Sequence, residues 1–152
     1  MYQRILVPLD GSSTSECGLR EAIKLSKDLK ARLHLLNVVD SYPMMMEMSS
    51  VASFQEMQQS LRRAGEEILT KAKSAAIEAG AMVETTQREV VEGRVAEVII
   101  DEAEKSGSDL IVMGTHGRRG INRLVLGSEA ELVVRLSPTP VLLVRDKSSP
   151  KS

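Results

Sequence analysis

Residues 109–136, DLIVMGTHGRRGINRLVLGSEAELVVRL, decide the fold. The opening DLIVM is a short apolar run with β-branched members, which reads as a strand buried on both faces. The loop 114–128 then sets Gly114, Gly117, Gly127 and the hydroxyl of Ser128 in the spacing G-x2-G-x9-G-S. Residues 129–136 read as a helix. A strand, a glycine loop and a helix start are the parts that generate anion sites in α/β proteins. The first backbone N–H groups of a helix lack intrahelical partners, and the helix dipole adds partial positive charge there. Glycine opens backbone conformations closed to other residues and lets a ligand approach closely.

The same alternation of short β-like runs and amphipathic stretches extends outward along the chain. Residues 5–7 (ILV) read as a first strand, broken by Pro8 and followed by the polar loop 10–15 (DGSSTS). A helix follows, with Leu19, Ala22, Ile23, Ser26 and Leu29 on one face. Residues 33–39 (LHLLNVV) form a second strand, and 41–52 (SYPMMMEMSSVA) have no period and read as a loop or lid. Phe54, Met57, Leu61, Ala64, Ile68, Ala72, Ala75 and Ala79 recur at steps of three and four, a long helix with Gly80 at its C-cap. Residues 82–91 read as a third strand. Val95, Val98, Ile99 and Ala103 mark a helix closed by Gly107, and Val141–Val144 is a last strand.

Five strands alternating with four helices fit one α/β domain over residues 1–146, a doubly wound parallel sheet with helices on both faces and a disordered tail over 147–152. Such sheets bind ligands outside the carboxyl ends of their strands, where the strand order reverses. In the order 3-2-1-4-5, Asp10 after the first strand and Gly114 after the fourth face one crevice.

Composition excludes several classes. The 20 basic and 21 acidic residues nearly cancel, so no global charge draws the chain to nucleic acid or a membrane surface. Aromatic residues make up 2%, too few for a base-stacking surface. No apolar run approaches a membrane span, and residues 1–10 lack a signal-peptide pattern. One cysteine, Cys17, suits a reducing cytoplasm, and two histidines make a dedicated zinc site unexpected.

Four segments together carry a resemblance: ILVPLDGS at the start, DLIVMGTHG, the spaced glycine motif, and SPTPVLLV at the end. In this order they resemble the universal stress protein family, over about residues 3–145. The resemblance implies a cytoplasmic homodimer paired through Val141–Val144 and, with the glycine motif complete, binding of ATP with or without Mg2+. Carried over by position, it puts Pro8, Leu9 and Asp10 beside the nucleotide, with Asp10 near the ribose, and the backbone of Val38 at the adenine. Met113, Gly114, Gly117, Gly127 and Ser128 take the phosphates, with His116, Arg118 and Arg119 as further loop contacts. Glu129 departs from the family pattern, which has a small or apolar residue there. A carboxylate beside phosphates repels them unless a divalent metal or Arg118 and Arg119 offset it, so weaker or more magnesium-dependent binding is expected.

Plainer readings stand beside these. Ser128 and Glu131 have capping-box spacing, which starts a helix without any ligand. Asp10 also reads as a turn residue and helix N-cap, and Arg118, Arg119 and Arg123 as a solvated basic face. His34 reads as a packing residue. Met44, Met45, Met46 and Met48 read as filler under a loop, or as a lid or partner surface. No catalytic apparatus is evident: the P-loop pattern is absent, and Cys17 and His34 have no third orienting group. Any ATP hydrolysis is therefore expected to be slow. Three alternatives to an ATP-binding signalling module remain open. One is a slow adenine-nucleotide hydrolase, echoed by residues 10–13. Another is a nucleotide-free dimeric scaffold. A receiver domain is the third, and it lacks its acidic pair and phosphoacceptor.

Overall fold

The computed structural model describes residues 1–41, 50–115 and 126–146. Along the chain run β1 (Arg4–Pro8), α1 (Ser13–Leu29), β2 (Arg32–Val39), α2 (Val51–Glu78), β3 (Met82–Glu89), α3 (Val95–Ser106), β4 (Leu110–Gly114), α4 (Ser128–Leu136) and β5 (Val141–Val144). All strand pairs are parallel, in the order β3-β2-β1-β4-β5. The expected α/β architecture and strand order are both present. The methionine run, the tail 147–152, and His116, Gly117, Arg118, Arg119 and Arg123 lie outside the described residues.

Strand side chains alternate between two cores, as the pleat requires. Ile5, Val7, Leu33, Leu35, Leu110 and Val112 face α1 and α2, where Leu19, Ala22, Leu69, Ala72 and Ala76 meet them. Leu6, Leu36, Ile111 and Met113 face α3 and α4, against Ala96, Ile99, Ala103, Ala130 and Val133. The central strands are apolar on both faces because helices cover both. β3 and β5 are the edges, and their buried positions are correspondingly few.

Helix ends follow local chemistry. Ser12 caps α1 by accepting from Ser15 N–H at 3.1 Å. Gly107 closes α3 with φ +71°, and Gly80, one residue past the C-cap Ala79 of α2, has φ +91°. Two expectations need correction. α2 starts at Val51, three residues before the apolar period begins, because Ser50 caps it through Ser53 N–H. Its buried positions, Gly65, Leu69, Ala72 and Ala76, all fall in the second half, while Phe54, Met57 and Leu61 of the apolar period are only partly buried. The capping box at Ser128 does not form: Gly127 is the N-cap of α4, and it supplies no side-chain cap.

His34 is buried as expected, but not among apolar neighbours alone. Its Nδ1 hydrogen-bonds Glu84 Oε1 at 3.0 Å, and its Nε2 lies 3.0 Å from Glu102 Oε2 without an aligned hydrogen bond. Arg4 pairs with Glu84 at 3.0 Å, and Arg88 bridges Asp101 at 2.6 Å and Glu102 at 3.3 Å. This chain of charges ties β1, β2 and β3 to α3. The His34 hydrogen bond, opposed by burial and helped by Arg4, holds the Glu84 carboxyl below its usual range.

Candidate functional site

From β1 the chain winds to β2 and β3 on one side, then returns to place β4 and β5 on the other. At that reversal the carboxyl ends of β1 and β4 leave a cleft of about 310 Å3, at the small end of the roughly 300–1,000 Å3 common for small-molecule sites. Pro8, Leu9, Asp10, Val38, Met113, Gly114 and Glu129 line it, bringing together seven of the residues singled out from the sequence. Gly127 and Ser128 sit at the start of α4, beside this cleft but not in its wall. Sequence reading missed Ser12, Thr14, Ser15, Leu36, Asp40, Val95 and Ile99, which also line it.

The cleft has an apolar half and a polar half. Leu36, Val38, Val95, Ile99 and Met113 supply a surface suited to a flat apolar ring. The polar lining comes from Asp10, the α1 N-cap Ser12, Thr14 and Ser15 of α1, Asp40, and Glu129 of α4. In α4 the first intrahelical bond runs from Glu131 N–H to Gly127 O. The N–H groups of Ser128, Glu129 and Ala130 therefore have no helical acceptor, and among the described residues the α4 N-cap provides no side-chain bond. The α1 start is capped by Ser12 and the α3 start by Glu129, so the α4 start is the one that offers N–H groups and a positive helix end at the cleft.

Asp10 forms a turn with its carboxylate accepting from Ser12 N–H at 2.9 Å. It is not the N-cap expected of it, a part that Ser12 takes. Burial pushes the Asp10 carboxyl upward, but hydrogen bonds from Ser12, Ser15 and the backbone outweigh it and leave the pKa lowered. At neutral pH Asp10 is therefore a carboxylate with acceptor capacity to spare. Asp10, Asp40 and Glu129 do not gather into a metal-binding group among the described residues.

Gly114 has a packing reason as well as a ligand one. A Cβ there would lie 2.0 Å from the carbonyl oxygen of Thr14, so only glycine lets the first turn of α1 rest on the end of β4. Gly18, one turn further, faces the same contact, with a Cβ position 3.1 Å from Gly114 N. The close approach is what brings Ser12, Thr14 and Ser15 to the cleft.

Glu129 is already engaged. Its Oε1 accepts from Arg94 Nη2 at 2.8 Å and Nε at 3.2 Å, and its Oε2 accepts Ala96 N–H at 2.7 Å. Arg94, the N-cap of α3, offers its own helix no side-chain cap, and Glu129 of α4 supplies one across the gap. The carboxylate expected to repel phosphate is thus balanced by a guanidinium and a helix N-terminus. Nothing in the sequence signals a pairing across 35 positions.

Cys17, the only cysteine, is buried. Burial pushes the Cys17 thiol up and Asp146 adds to the push, outweighing Arg20, whose Nη2 donates to the sulfur at 3.0 Å and favours the thiolate. A separate open depression of about 430 Å3 is walled by one face of α2 alone, including Arg63, Glu66 and Lys71, with no convergent elements.

The universal stress protein family model matches residues 1–145. The chain belongs to the universal stress protein family. Universal stress protein MJ0531 of Methanocaldococcus jannaschii is 37% identical over 145 residues, covering 95% of this chain and 83% of that relative. The solved structure of universal stress protein MJ0577 of the same organism superposes with a TM-score of 0.83 at 30% identity, covering 98% of this chain and 99% of its own. A universal stress protein solved in complex with cAMP superposes with a TM-score of 0.67 at 26% identity, covering 94% and 97%. Among the described residues no helix is long and apolar enough to cross a membrane.

Proposed function

We propose that this universal stress protein binds an adenine nucleotide, ATP foremost, in the cleft at the carboxyl ends of β1, β2 and β4. The observation that carries the reading is the meeting of the α4 start, whose first N–H groups have no helical acceptor, with Asp10 and an apolar lining at one cleft. Adenine packs against Val38, Val95, Ile99 and Met113. Asp10 accepts hydrogen bonds from the ribose hydroxyls, because a carboxylate suits a diol donor and repels a phosphate. The phosphates lie toward Gly114, Gly127 and the free N–H groups at Ser128, with Gly117, His116, Arg118 and Arg119 as further contacts. Arg94 and Ala96 N–H neutralise Glu129, so phosphate binding needs no metal to offset it, although Mg2+ is compatible with it. The cAMP complex of a relative supports the adenine-nucleotide class.

The protein acts in this reading as a cytoplasmic stress-response or signalling module whose state follows its nucleotide, with slow hydrolysis at most. A second copy pairs along the edge strand β5, where Leu142 is exposed and apolar; Val134 and Leu136 of α4 are exposed and apolar as well. Calorimetric titration with ATP, AMP, cAMP and GTP tests the site. Adenine nucleotides are expected to bind, and Asp10→Ala to weaken ATP binding about tenfold or more. Failure of every nucleotide to bind, or ATP binding indifferent to Asp10→Ala, overturns the reading.

A further inference from the structure

Asn37 is an amide on an otherwise apolar strand face. It shares that face of β2 with Leu33 and Leu35, turned toward α1 and α2, and it is 5% exposed. Its Nδ2 donates to Leu9 O at 2.9 Å. Its Oδ1 accepts from Gln87 Nε2 at 3.2 Å, and Gln87 sits directly opposite on β3. Gln87 Nε2 also donates to Arg62 O of α2 at 2.9 Å. The donors and acceptors fit in one orientation of both amides, since Leu9 O and Arg62 O each require an N–H.

The helix above gives way to this pair. A Cβ on Gly65 would lie 2.0 Å from Asn37 Oδ1 and 2.4 Å from Gln87 Nε2. A glycine inside a helix costs about 1 kcal/mol relative to alanine. Three elements thus depart from their simplest sequence at one point: an amide in an apolar strand, an amide opposite it, and a glycine in mid-helix. They reach the cleft through the carbonyl of Leu9 and through Leu36 and Val38, the chain neighbours of Asn37, which line it. Leu9 stands just past the end of β1, and its N–H already bonds Leu36 O at 2.7 Å. With both sides of Leu9 tied to β2, the chain leaves the sheet in a single direction, and Asp10 follows immediately.

We infer that Asn37 is a positioning residue for ribose recognition: anchored by Gln87 beneath Gly65, it fixes the Leu9 carbonyl and so the placement of the Asp10 carboxylate. This rests on the reading of the cleft as an adenine-nucleotide site with Asp10 at the ribose. Without the Asn37 clamp, Leu9 O loses a buried partner, and the Asp10 turn is free to shift relative to Val38 and the cleft floor. The Asp10 turn hangs directly on Leu9, whereas Leu36 and Val38 are held in the sheet by strand pairing, so the loss falls chiefly on the ribose hydroxyls.

The test compares dissociation constants for ATP and 2′,3′-dideoxy-ATP in the full chain, with melting temperature measured alongside. The native protein is expected to prefer ATP by about tenfold, the worth of hydrogen bonds to a charged group. Asn37→Ser is expected to bring the two ligands within about threefold of each other while binding of the dideoxy nucleotide changes little. Gln87→Met, which leaves the Asn37 amide unanchored, should shift the ratio the same way and serves if Asn37→Ser fails to fold. Proportional weakening of both nucleotides, an unchanged ratio, or no native preference for ATP overturns the inference while leaving nucleotide binding intact. Failure of the native protein to bind either nucleotide removes the underlying site reading and this inference with it.

Discussion

Replacing Gly114 with alanine separates what the glycine does for packing from what it does for a ligand. The added Cβ would stand 2.0 Å from Thr14 O and 2.7 Å from Thr14 C. Non-bonded heavy atoms settle near 3.5 Å, so the start of α1 must retreat by roughly 1.5 Å. Both obstructing atoms are backbone, and no rotamer change relieves them. Overpacking of this kind costs about 1–3 kcal/mol where side chains yield, and a rigid helix turn puts it at about 3 kcal/mol or above. For a chain of this size that lowers the melting temperature by roughly 6–12 °C. Gly18→Ala supplies the control at the same contact. Its Cβ meets Gly114 N at 3.1 Å, a milder crowding. The helix-propensity gain of about 1 kcal/mol offsets that crowding, so stability should stay within about 1 kcal/mol of the native chain. Urea unfolding followed by far-UV circular dichroism reads both variants. A Gly114→Ala protein within about 0.5 kcal/mol of native stability would refute the close approach, and with it the account of how α1 reaches the cleft.

Further expectations follow the same physics. Glu129→Gln removes the charge on the α3 N-terminus and the pair with Arg94, and should cost about 1 kcal/mol, the exposed Arg94 pair contributing little of it; ATP affinity that rises sharply only without magnesium would instead restore the repulsion first expected. Gly65→Ala drives a Cβ into the Asn37–Gln87 pair and should destabilise by about 2 kcal/mol or more, read by thermal unfolding. The carboxyls of Asp10 and Glu84 have lowered pKa values in the folded chain. Each stabilises the fold above its unfolded pKa, near 4, and that contribution disappears as pH falls through the lower folded value. Stability attributable to them should therefore be flat from neutral pH to about 5 and decline below it, and Glu84→Gln should shallow the decline. Leu142→Glu on the β5 edge should shift a dimer to monomer in light scattering, whereas an unchanged mass would put the partner elsewhere.

The fold was legible because the central strands are apolar on both faces and each helix carries its own period. Residues 5–7, 33–39 and 110–113 announce themselves in this way, and the topology rule then brings Asp10, Val38, Met113 and Gly114 to one place. What stayed hidden depends on contacts distant in sequence. Glu129 looked like a misplaced charge because Arg94 and Ala96 reach it only through the packing of α3 against α4. His34 looked like filler because Glu84 and Glu102 come from other elements. Asn37 and Gly65 each left a trace, an amide in an apolar strand and a glycine in mid-helix, but neither is interpretable without the other. The capping-box spacing at Ser128 misled for a local reason: the helix begins at that residue, which leaves Gly127 as the cap.

The occupant of the cleft separates a nucleotide-binding module from a nucleotide-free scaffold. The most direct measurement is mass spectrometry of small molecules released on denaturing the purified protein, followed by titration of the emptied protein with Mg-ATP. An adenine nucleotide released in near-stoichiometric amount, or rebound on titration, is the predicted result. A protein that releases none and binds none contradicts it.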